Sequence, residues 1–453
     1  MFKFCTYTLL TVLTANLLAT AGDTTLTWTS PILPKLYSTN PEINPFEQPI
    51  TPLEESWIGS LINIGAMIGP LPFGFLSTKL GRKICLLCMA VPYIISFLIL
   101  AFLQNVYWYY FARLLAGVSV GGACSIQSVY IAEVAEDSNR GMLSVTINIF
   151  WTLGNLIPYV LGPYLGIVPF NLILTCIPAV FFVLFILIAP ESPYYLVGKN
   201  QISKAEESLM KLRSRSRSGV EKELINIQDS LKLVEKKGNI FDLFKTKANM
   251  KALIISVTLM AFQQFSGFNA VLFYTQLIFE ASGSNLSPEV SSIIIGLVLL
   301  VSSLIIPFIA DSLGRKVFLI ISLVGTMVSL VVLGTYFFYK ESLPESVQWV
   351  PIVSLVLFIV SMNLGMIPLP WTISSELFSV DVKPIGTSLV SITCWVTSFL
   401  ITRFFNDLNS ALGQAGTFWL FGGFCFLAML FTLFYVPETK GKSFIEIQKI
   451  LQK

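Results

Sequence analysis

The sequence predicts an all-α membrane protein with twelve transmembrane helices in two six-helix halves. Of its 453 residues, 54% are hydrophobic and only 12% are charged, about half the charged fraction of a soluble protein. One spanning helix takes about 20 apolar residues, so this composition suffices for about a dozen spans. Three short motifs also occur twice in the same order, which indicates that the halves are copies. The alternating pattern of a membrane β-barrel is absent.

Apolar runs between polar breaks define the predicted helices. Lys3 and Ala19-Thr20-Ala21 also fit a cleavable signal peptide, but the membrane-like pattern continues to Pro31, so we expect the first helix to be retained. We expect an N-terminal half at 1–190, a charged cytoplasmic linker with helical periodicity at 191–250, a C-terminal half at 251–436 and a tail at 437–453. The predicted helices lie at about 4–28, 55–77, 84–104, 107–131, 142–162, 168–189, 251–275, 290–310, 317–339, 350–375, 384–405 and 415–436.

Basic residues predict the orientation. Most of the 29 Lys and Arg residues fall in segments that share one membrane face. The positive-inside rule makes this face cytoplasmic, with both termini and the linker on it. Asn285 then lies outside, in an Asn-Leu-Ser glycosylation motif that Pro288 weakens. The Arg/Ser run at 213–218 is interpreted as a solvated turn near anionic lipid headgroups, with phosphorylation as the alternative.

Composition also excludes several classes of function. The chain has no histidine, so the commonest general base and metal ligand is missing, and we expect neither an enzyme nor a metal or other cofactor. The Cys85-x-x-Cys88 spacing stands alone in an apolar helix and is interpreted as lipid- or core-facing. The balance of 29 basic against 26 acidic residues argues against a nucleic-acid partner.

The duplicated motifs place matched charges at the cytoplasmic face. Gly81-Arg82-Lys83 is repeated as Gly314-Arg315-Lys316, and each copy has acidic residues at equivalent places nearby. Exposed ion pairs contribute only about 0.2–1 kcal/mol each, so several together can bias a two-state equilibrium and still break easily. This predicts a moving carrier whose gating network comprises Arg82, Glu133, Arg140, Glu191, Asp311, Arg315, Glu376, Lys383 and Glu438.

With these motifs the chain resembles the sugar porter family of the major facilitator superfamily. The resemblance also rests on Gln263-Gln264, Asn269, Pro368-Leu-Pro370-Trp371 and Pro437-Glu438-Thr439, and it covers essentially the whole chain. Trp28-Thr29-Ser30-Pro31 and Phe418-Trp419-Leu420-Phe421-Gly422 look closest to the insect trehalose and hexose carriers. The resemblance implies a plasma-membrane carrier of a small-molecule sugar that needs only the lipid bilayer around it and works as a monomer.

The resemblance also implies the sugar site. On a straight helix Gln263, Gln264 and Asn269 would point about 0°, 100° and 240° around the axis, so a break at Ser266-Gly267 is expected to bring them together. The alternative is that these amides only join helices. The remaining implied contacts are Asn148, Trp371 and Trp395, of which the tryptophans could instead be interfacial anchors.

Departures from the family pattern bear on selectivity and gating. Leu299 and Cys394 stand where the family has asparagines, which puts ordinary glucose selectivity in doubt. Thr78 replaces an aspartate in the first cytoplasmic motif.

Thr29 occupies the position at which proton-driven relatives carry an aspartate, and it cannot titrate. Asp23 lies in the same helix, where an acid is costly and therefore a functional candidate. It is interpreted as a cavity-facing or Arg113-paired acid, with proton coupling as the alternative, because six residues place it about 240° around the helix from Thr29.

Three functions are therefore weighed. Facilitated sugar transport leads, because Thr29 offers no ionisable group. Proton-coupled symport is the nearer alternative, with Asp23 as its candidate group. A sugar-sensing transceptor is the third, and the 437–453 tail is short for signalling.

Overall fold

The computed structural model describes residues 6–136, 139–233, 241–310, 314–379, 381–442 and 444–452. Regular structure in these residues is entirely helical. The α-helices are α1 (Thr6–Thr27), α2 (Thr29–Leu36), α3 (Pro52–Ile68), α4 (Pro70–Leu80), α5 (Arg82–Phe102), α6 (Val106–Val134), α7 (Arg140–Leu161), α8 (Ile167–Ile188), α9 (Pro193–Gly198), α10 (Ile202–Arg213), α11 (Arg217–Leu233), α12 (Asp242–Lys245), α13 (Lys247–Phe265), α14 (Phe268–Ser282), α15 (Pro288–Ala310), α16 (Arg315–Tyr339), α17 (Val350–Ser361), α18 (Leu369–Leu377), α19 (Lys383–Tyr435) and α20 (Phe444–Gln452). A π-helical turn spans Met362–Met366, and 3₁₀ turns span Lys340–Ser342 and Glu345–Val347.

Ten helices in the described residues are long and apolar enough to span a membrane. One of them, α19, is two helices that meet at Gly413, where φ is +70°, so it supplies two predicted spans. The remaining predicted span, α1 with α2, is less apolar because of its threonines. Their hydroxyls donate to carbonyls of the preceding turn, as Thr11 does to Tyr7 at 2.9 Å and Thr14 to Leu10 at 2.7 Å. The twelve-helix, all-α prediction is confirmed.

The first predicted helix is longer than expected. Its predicted end near 28 is wrong, because Trp28 keeps right-handed helical torsions and α2 carries the helical segment on to Leu36. Pro31 is tolerated in the first turn of α2, where a backbone N–H has no intrahelical acceptor. Trp28, Ile32 and Leu36 are fully buried, so the apolar face of α1 continues along α2.

Two compact units divide the chain. The first contains Met1–Leu26, Asn40–Glu47 and Leu61–Lys236, and the second contains Thr27–Thr39, Gln48–Ser60 and Lys237–Lys453. The second unit therefore holds α2 and the first turns of α3 together with the helices that follow the linker. Within it, Thr29 Oγ1 donates to the Phe273 carbonyl of α14 at 3.0 Å, and Ser30 Oγ accepts from Gln276 N at 3.1 Å.

Small residues hold α3 and α4 against α6 in the first unit. A Cβ atom on Gly65 would lie 2.1 Å from the Leu114 carbonyl oxygen, and one on Gly121 would lie 2.1 Å from that of Ala66. Such a backbone approach leaves no room for a side chain. It is the packing that replaces hydrophobic burial inside a bilayer, where lipid is as apolar as the helix face.

The linker helices have a small core of their own. Leu196, Ala205, Leu209, Leu224 and Ile227 pack together between α9, α10 and α11, as the helical periodicity of the linker predicts. The short loop after α10 places Ser214 at a φ of +48°, which ends the helix and turns the chain into α11.

The structure corrects the interpretation of the Arg/Ser run at its first residue. Arg213 is only 4% exposed rather than solvated. Its guanidinium donates to the carbonyls of Val134 at 2.7 Å and Ala135 at 3.2 Å, at the end of α6, and to Glu223 of α11 at 2.6 Å. The carbonyls that end a helix have no intrahelical donors and carry partial negative charge, so a buried cation is stabilised there. Arg213 therefore anchors the linker to α6.

Candidate functional site

The break between α13 and α14 is where the sequence predicts it. Gly267 adopts a φ of +83°, which favours glycine. It also lacks room for a side chain, since a Cβ atom would lie 2.4 Å from the Phe421 ring. Ser266 Oγ donates to the Gln263 carbonyl at 2.6 Å and so satisfies a backbone acceptor that the break exposes. The helix thus restarts at Phe268 with a new direction for the residues that follow.

The break brings the three predicted amides into contact. Asn269 Nδ2 donates to Gln264 Oε1 at 2.9 Å, and Gln264 Nε2 donates to Gln263 Oε1 at 3.2 Å. All three are buried, with exposed fractions of 3% for Gln263, 3% for Gln264 and 7% for Asn269. We call these three residues the amide relay. A buried polar group needs a partner, and the relay supplies one to each member.

A proline in the predicted tenth helix holds one end of the amide relay. Pro370 has no N–H, so the carbonyl of Met366, four residues earlier, has no helical donor. Gln263 Nε2 takes that role, donating to the Met366 carbonyl at 2.7 Å and to that of Ile367 at 3.0 Å. The π-helical turn before the proline is closed by Ile367 N donating to the Met362 carbonyl at 2.9 Å. Gln263 is therefore oriented by backbone rather than by another flexible side chain.

Two residues of α19 hold the other members. Asn269 Nδ2 donates to Ser398 Oγ at 2.7 Å, and Gln264 Nε2 donates to Cys394 Sγ at 3.3 Å. Cys394, which stands where the family has a hydrogen-bonding asparagine, thus still accepts a weak hydrogen bond. Sequence analysis did not single out Ser398. Its signal is its position four residues after Cys394, on the same helix face.

The two predicted tryptophans differ in exposure. Trp395 follows Cys394 in α19 and is 9% exposed, whereas Trp371 follows Pro370 in α18 and is 42% exposed. Trp395 is therefore next in the chain to Cys394, which accepts a hydrogen bond from Gln264. Trp371 is next to Pro370, which leaves the Met366 carbonyl to accept from Gln263. Leu299 is buried in α15 at 2% exposure. The roles of the tryptophans stay predictions.

The first unit contains two of the predicted residues, Asn148 and Asp23. Asn148 lies half-buried in α7. Asp23 of α1 accepts a hydrogen bond from Asn155 Nδ2 of α7 at 2.6 Å, and Arg113 of α6 donates to the Thr25 carbonyl. A Cβ atom on Gly154 would lie 2.5 Å from the Thr20 carbonyl oxygen, so α1 and α7 approach closely beside Asp23.

The Gly-Arg-Lys motif of the first unit is built around Arg82 and two glutamates. The Arg82 guanidinium donates twice to Glu133, through Nε and Nη2, each at 3.0 Å. Glu191 accepts from the backbone N–H of Arg82 at 2.9 Å and of Lys83 at 3.2 Å, so it caps the start of α5. Burial raises the pKa of Glu191, although these backbone donors oppose the shift. Gly81 has a φ of +98°, and a Cβ atom there would lie 2.1 Å from Glu191 Oε2.

The second unit repeats the arrangement. Glu438 accepts from the backbone N–H of Arg315 and of Lys316, both at 3.0 Å, and caps the start of α16. Arg315 Nη2 lies 3.5 Å from Glu376 Oε1. Burial raises the pKa of Glu438, but the backbone donors outweigh it and the net pKa is lowered. The equivalent residues Glu191 and Glu438 thus have pKa values shifted in opposite directions.

The remaining members of the predicted network differ in what surrounds them. Arg140 Nε donates to the Ala132 carbonyl at 3.0 Å, bracing the end of α6 from the start of α7. Lys383 is exposed at the start of α19. Thr78 is exposed and donates to the Phe75 carbonyl in its own helix at 2.8 Å. Asp311 lies outside the described residues.

Asn285 is exposed in the segment between α14 and α15, and its glycosylation stays a prediction.

Comparison with known proteins assigns the family. The family described as "Sugar (and other) transporter" matches residues 28–451. The facilitated trehalose transporter Tret1 of Polypedilum vanderplanki is 35% identical over 427 residues, covering 93% of this chain and 83% of that protein. Tret1 of Apis mellifera ligustica is 35% identical over 397 residues, covering 87% and 78%. Tret1 of Anopheles gambiae is also 35% identical over 427 residues, but this chain spans only 53% of its length.

Solved structures agree on the fold. The xylose transporter XylE from E. coli, in a partially occluded inward-open conformation, matches with a TM-score of 0.79 at 21% identity, covering 97% of this chain and 100% of that chain. The proton:xylose symporter XylE bound to 6-bromo-6-deoxy-D-glucose matches with a TM-score of 0.76 at 23% identity, covering 98% and 99%. The fold is that of the major facilitator superfamily. With the family match spanning nearly the whole chain, this protein belongs to the sugar transporter family, whose members are membrane transporters and not enzymes.

Proposed function

We propose that this chain is a facilitative transporter that moves trehalose or a hexose across the plasma membrane by alternating access. The observation that carries the proposal is the amide relay, three buried and mutually hydrogen-bonded amides at the break between α13 and α14. Relatives at 35% identity are named facilitated trehalose transporters, which supports trehalose as the first sugar to test.

The chemistry of the amide relay suits a sugar. A hydroxyl both donates and accepts, and an amide offers two N–H donors and two acceptor lone pairs. Each relay member uses only part of this capacity on its neighbours, so sugar hydroxyls can add to the relay without dismantling it. Neither the amides nor a sugar carries a charge. Binding therefore avoids the large desolvation cost of burying a charged group. In this proposal Asn148 adds a further amide, and Trp371 and Trp395 contact the apolar CH faces of the sugar.

The cytoplasmic clusters supply the two-state behaviour. Glu191 and Glu438 each cap one helix, while Arg82 and Arg315 each reach a glutamate of another helix. In this proposal these contacts, together with Arg140, Asp311 and Lys383, are rearranged as the transporter alternates between its open states. Both termini and the 191–250 linker lie in the cytoplasm, the halves at 1–190 and 251–436 rock about the site, and the monomer is the working unit.

Proton-coupled sugar symport is the second candidate, and Asp23 is the observation that favours it. A half-buried carboxyl in a membrane helix, hydrogen-bonded to Asn155, is a candidate for reversible protonation. Thr29 argues the other way, because its hydroxyl cannot titrate at the position that the symporting relatives use. Asp23→Asn separates the two, since it removes gradient-driven accumulation in a symporter and spares sugar equilibration in a facilitator.

A substrate panel in reconstituted vesicles tests the proposal. Purified protein should mediate saturable uptake of trehalose or a hexose, and Asn269→Ala should raise the concentration for half-maximal uptake at unchanged protein incorporation. Gln201→Ala, on an exposed linker residue, is the control and should match wild type. Absence of sugar uptake by well-incorporated wild-type protein, or equal uptake curves for Asn269→Ala and wild type, would contradict the proposal.

A further inference from the structure

A cavity lies in the second unit, beyond the amide relay. Its volume is about 250 Å³. The lining residues belong to α14, α19 and α3, apart from Tyr37, which directly follows α2. Its polar lining includes Tyr37, Glu55, Asn406, Asn409 and Gln414, and Tyr274 adds an aromatic face.

The wall combines polar groups with aromatic faces. Tyr37 donates its hydroxyl to Glu55, which also shares a hydrogen bond with Asn406. The side-chain oxygen of Asn409 is buried and has no hydrogen-bond partner among the described residues. An amide side chain offers both donors and acceptors to a hydroxylated ligand. Gln414 adds a second amide to the wall.

The cavity and the amide relay lie along the same faces of two helices. On α19, Ser398 contacts the relay, Thr402 follows one turn later, and Asn406 lines the cavity one turn after that. Eight residues of helix separate Ser398 from Asn406, which is about 12 Å. The cavity therefore lies farther than the relay from the Arg315 cluster, toward the opposite end of the unit.

Along α14, Tyr274 comes after Asn269 of the amide relay and before the cavity residues Leu277 and Ile278. It has non-helical torsions inside α14, with φ at −114° and ψ at 16°. Its ring stacks on Phe405, with centroids 5.0 Å apart, and its hydroxyl donates to the Thr402 carbonyl at 3.0 Å. It lies five residues after Asn269 and is itself part of the cavity wall.

We propose that this cavity is a second, weaker binding site for a single sugar ring, which holds the sugar on the side of Tyr274 away from the amide relay. The inference rests on the proposed function. Neutral amides, a tyrosine hydroxyl and aromatic walls match the hydroxyls and CH faces of a sugar. A volume of about 250 Å³ equals about eight waters at roughly 30 Å³ each, which suits one ring and not a disaccharide.

Equilibrium binding of radiolabelled glucose to the purified full chain in lipid nanodiscs tests the inference. Wild type should show two components that approach two sugars per chain. Asn269→Ala should weaken the stronger component and leave the weaker one. Asn409→Leu combined with Gln414→Leu should lower the affinity of the weaker component by about tenfold or more and leave the stronger one. Gln201→Leu is the matched control for an added leucine and should keep both components.

Two results would overturn the inference and leave the proposed function standing. One is saturation of wild type at one sugar per chain. The other is a weaker component that survives both leucine substitutions in protein that elutes as a single species and melts like wild type. Protein that binds neither glucose nor trehalose would instead overturn the proposed function and this inference together.

Discussion

At the scale of single residues, Gln263 connects the amide relay to the backbone. Its amide donates to the Met366 carbonyl, which Pro370 leaves without a helical donor, and its own oxygen accepts from Gln264. Removing this side chain leaves a buried carbonyl unsatisfied and takes away one of the three hydrogen bonds that Gln264 makes within the described residues. In the proposed function this side chain both contacts the sugar and orients the next amide.

The first prediction concerns that side chain. Gln263→Ala should weaken apparent sugar affinity by about 5- to 150-fold, which corresponds to about 1–3 kcal/mol for a lost buried hydrogen bond. Concentration-dependent uptake in vesicles measures it, with Gln201→Ala as the control for loss of an exposed glutamine. Uptake curves that coincide with wild type would remove Gln263 from the site.

The second prediction concerns Ser398, which accepts from Asn269 at 2.7 Å. Ser398→Ala should lower affinity by less than Gln263→Ala does, because Asn269 keeps its bond to Gln264. Ser398→Thr, which retains the hydroxyl, should recover most of the loss. The same uptake assay measures both variants. Wild-type affinity in the alanine variant would show that Ser398 does not position Asn269.

The sequence could predict the amide relay but not what holds it. Gln263, Gln264 and Asn269 lie within seven residues, and Gly267 between them indicates a break. Ser398 and the Met366 carbonyl are over a hundred residues away along the chain. Contacts at such separation depend on how helices pack, which periodicity does not encode.

At the scale of helices, the glycine before each Arg-Lys pair fits a carboxylate against the helix start. Gly81 has a φ of +98°, and a Cβ atom there would lie only 2.1 Å from Glu191 Oε2, so any other residue would strain the backbone and displace the glutamate. The equivalent position, Gly314, has a φ of +103°, and a Cβ atom there would lie 2.7 Å from Glu438 Oε2. The repeated motif is thus a helix cap as well as a source of positive charge.

The third prediction follows for Gly81→Ala. It should destabilise the protein by about 1–3 kcal/mol through backbone strain alone, with further loss from displacing Glu191. Gly74→Ala is the matched control, since a Cβ atom there meets nothing within 4 Å. Thermal unfolding in detergent measures both. Equal melting temperatures for the two variants would contradict the capping account.

The fourth prediction concerns the linker. Arg213→Ala should destabilise the protein by about 3–5 kcal/mol, because Glu223 and two carbonyls at the end of α6 lose a buried partner. Arg215→Ala is the control, since Arg215 is 57% exposed and 3.8 Å from Glu136, and should cost less than about 1 kcal/mol. Thermal unfolding and protease sensitivity of the linker measure the difference. Equal effects would mean that Arg213 does not anchor the linker.

The linker also shows where sequence reasoning fails. Its helices were predictable, because Ala205, Leu209, Leu224 and Ile227 recur at helical spacing and form its core. Burial of Arg213 was not, because three arginines alternate with serines and nothing local distinguishes the first from Arg215. The distinction comes from the Val134 and Ala135 carbonyls of another helix.

At the scale of the whole molecule, the described chain forms two compact units, each with its own capped Arg-Lys cluster. The repeated sequence motifs predicted this equivalence, and the paired geometries of Glu191 and Glu438 bear it out at the level of contacts. The family match and the fold match each extend over nearly the whole chain. Which driving force moves the sugar depends instead on single groups, Thr29 and Asp23.

The fifth prediction tests the central claim of facilitated transport. In vesicles with an imposed inward proton gradient, trehalose or hexose uptake should level off when the internal and external concentrations are equal. A protonophore should leave the initial rate and the plateau unchanged, because Thr29 offers no proton site. Accumulation above the external concentration that collapses with the protonophore and is absent from Asp23→Asn would contradict the account and establish symport.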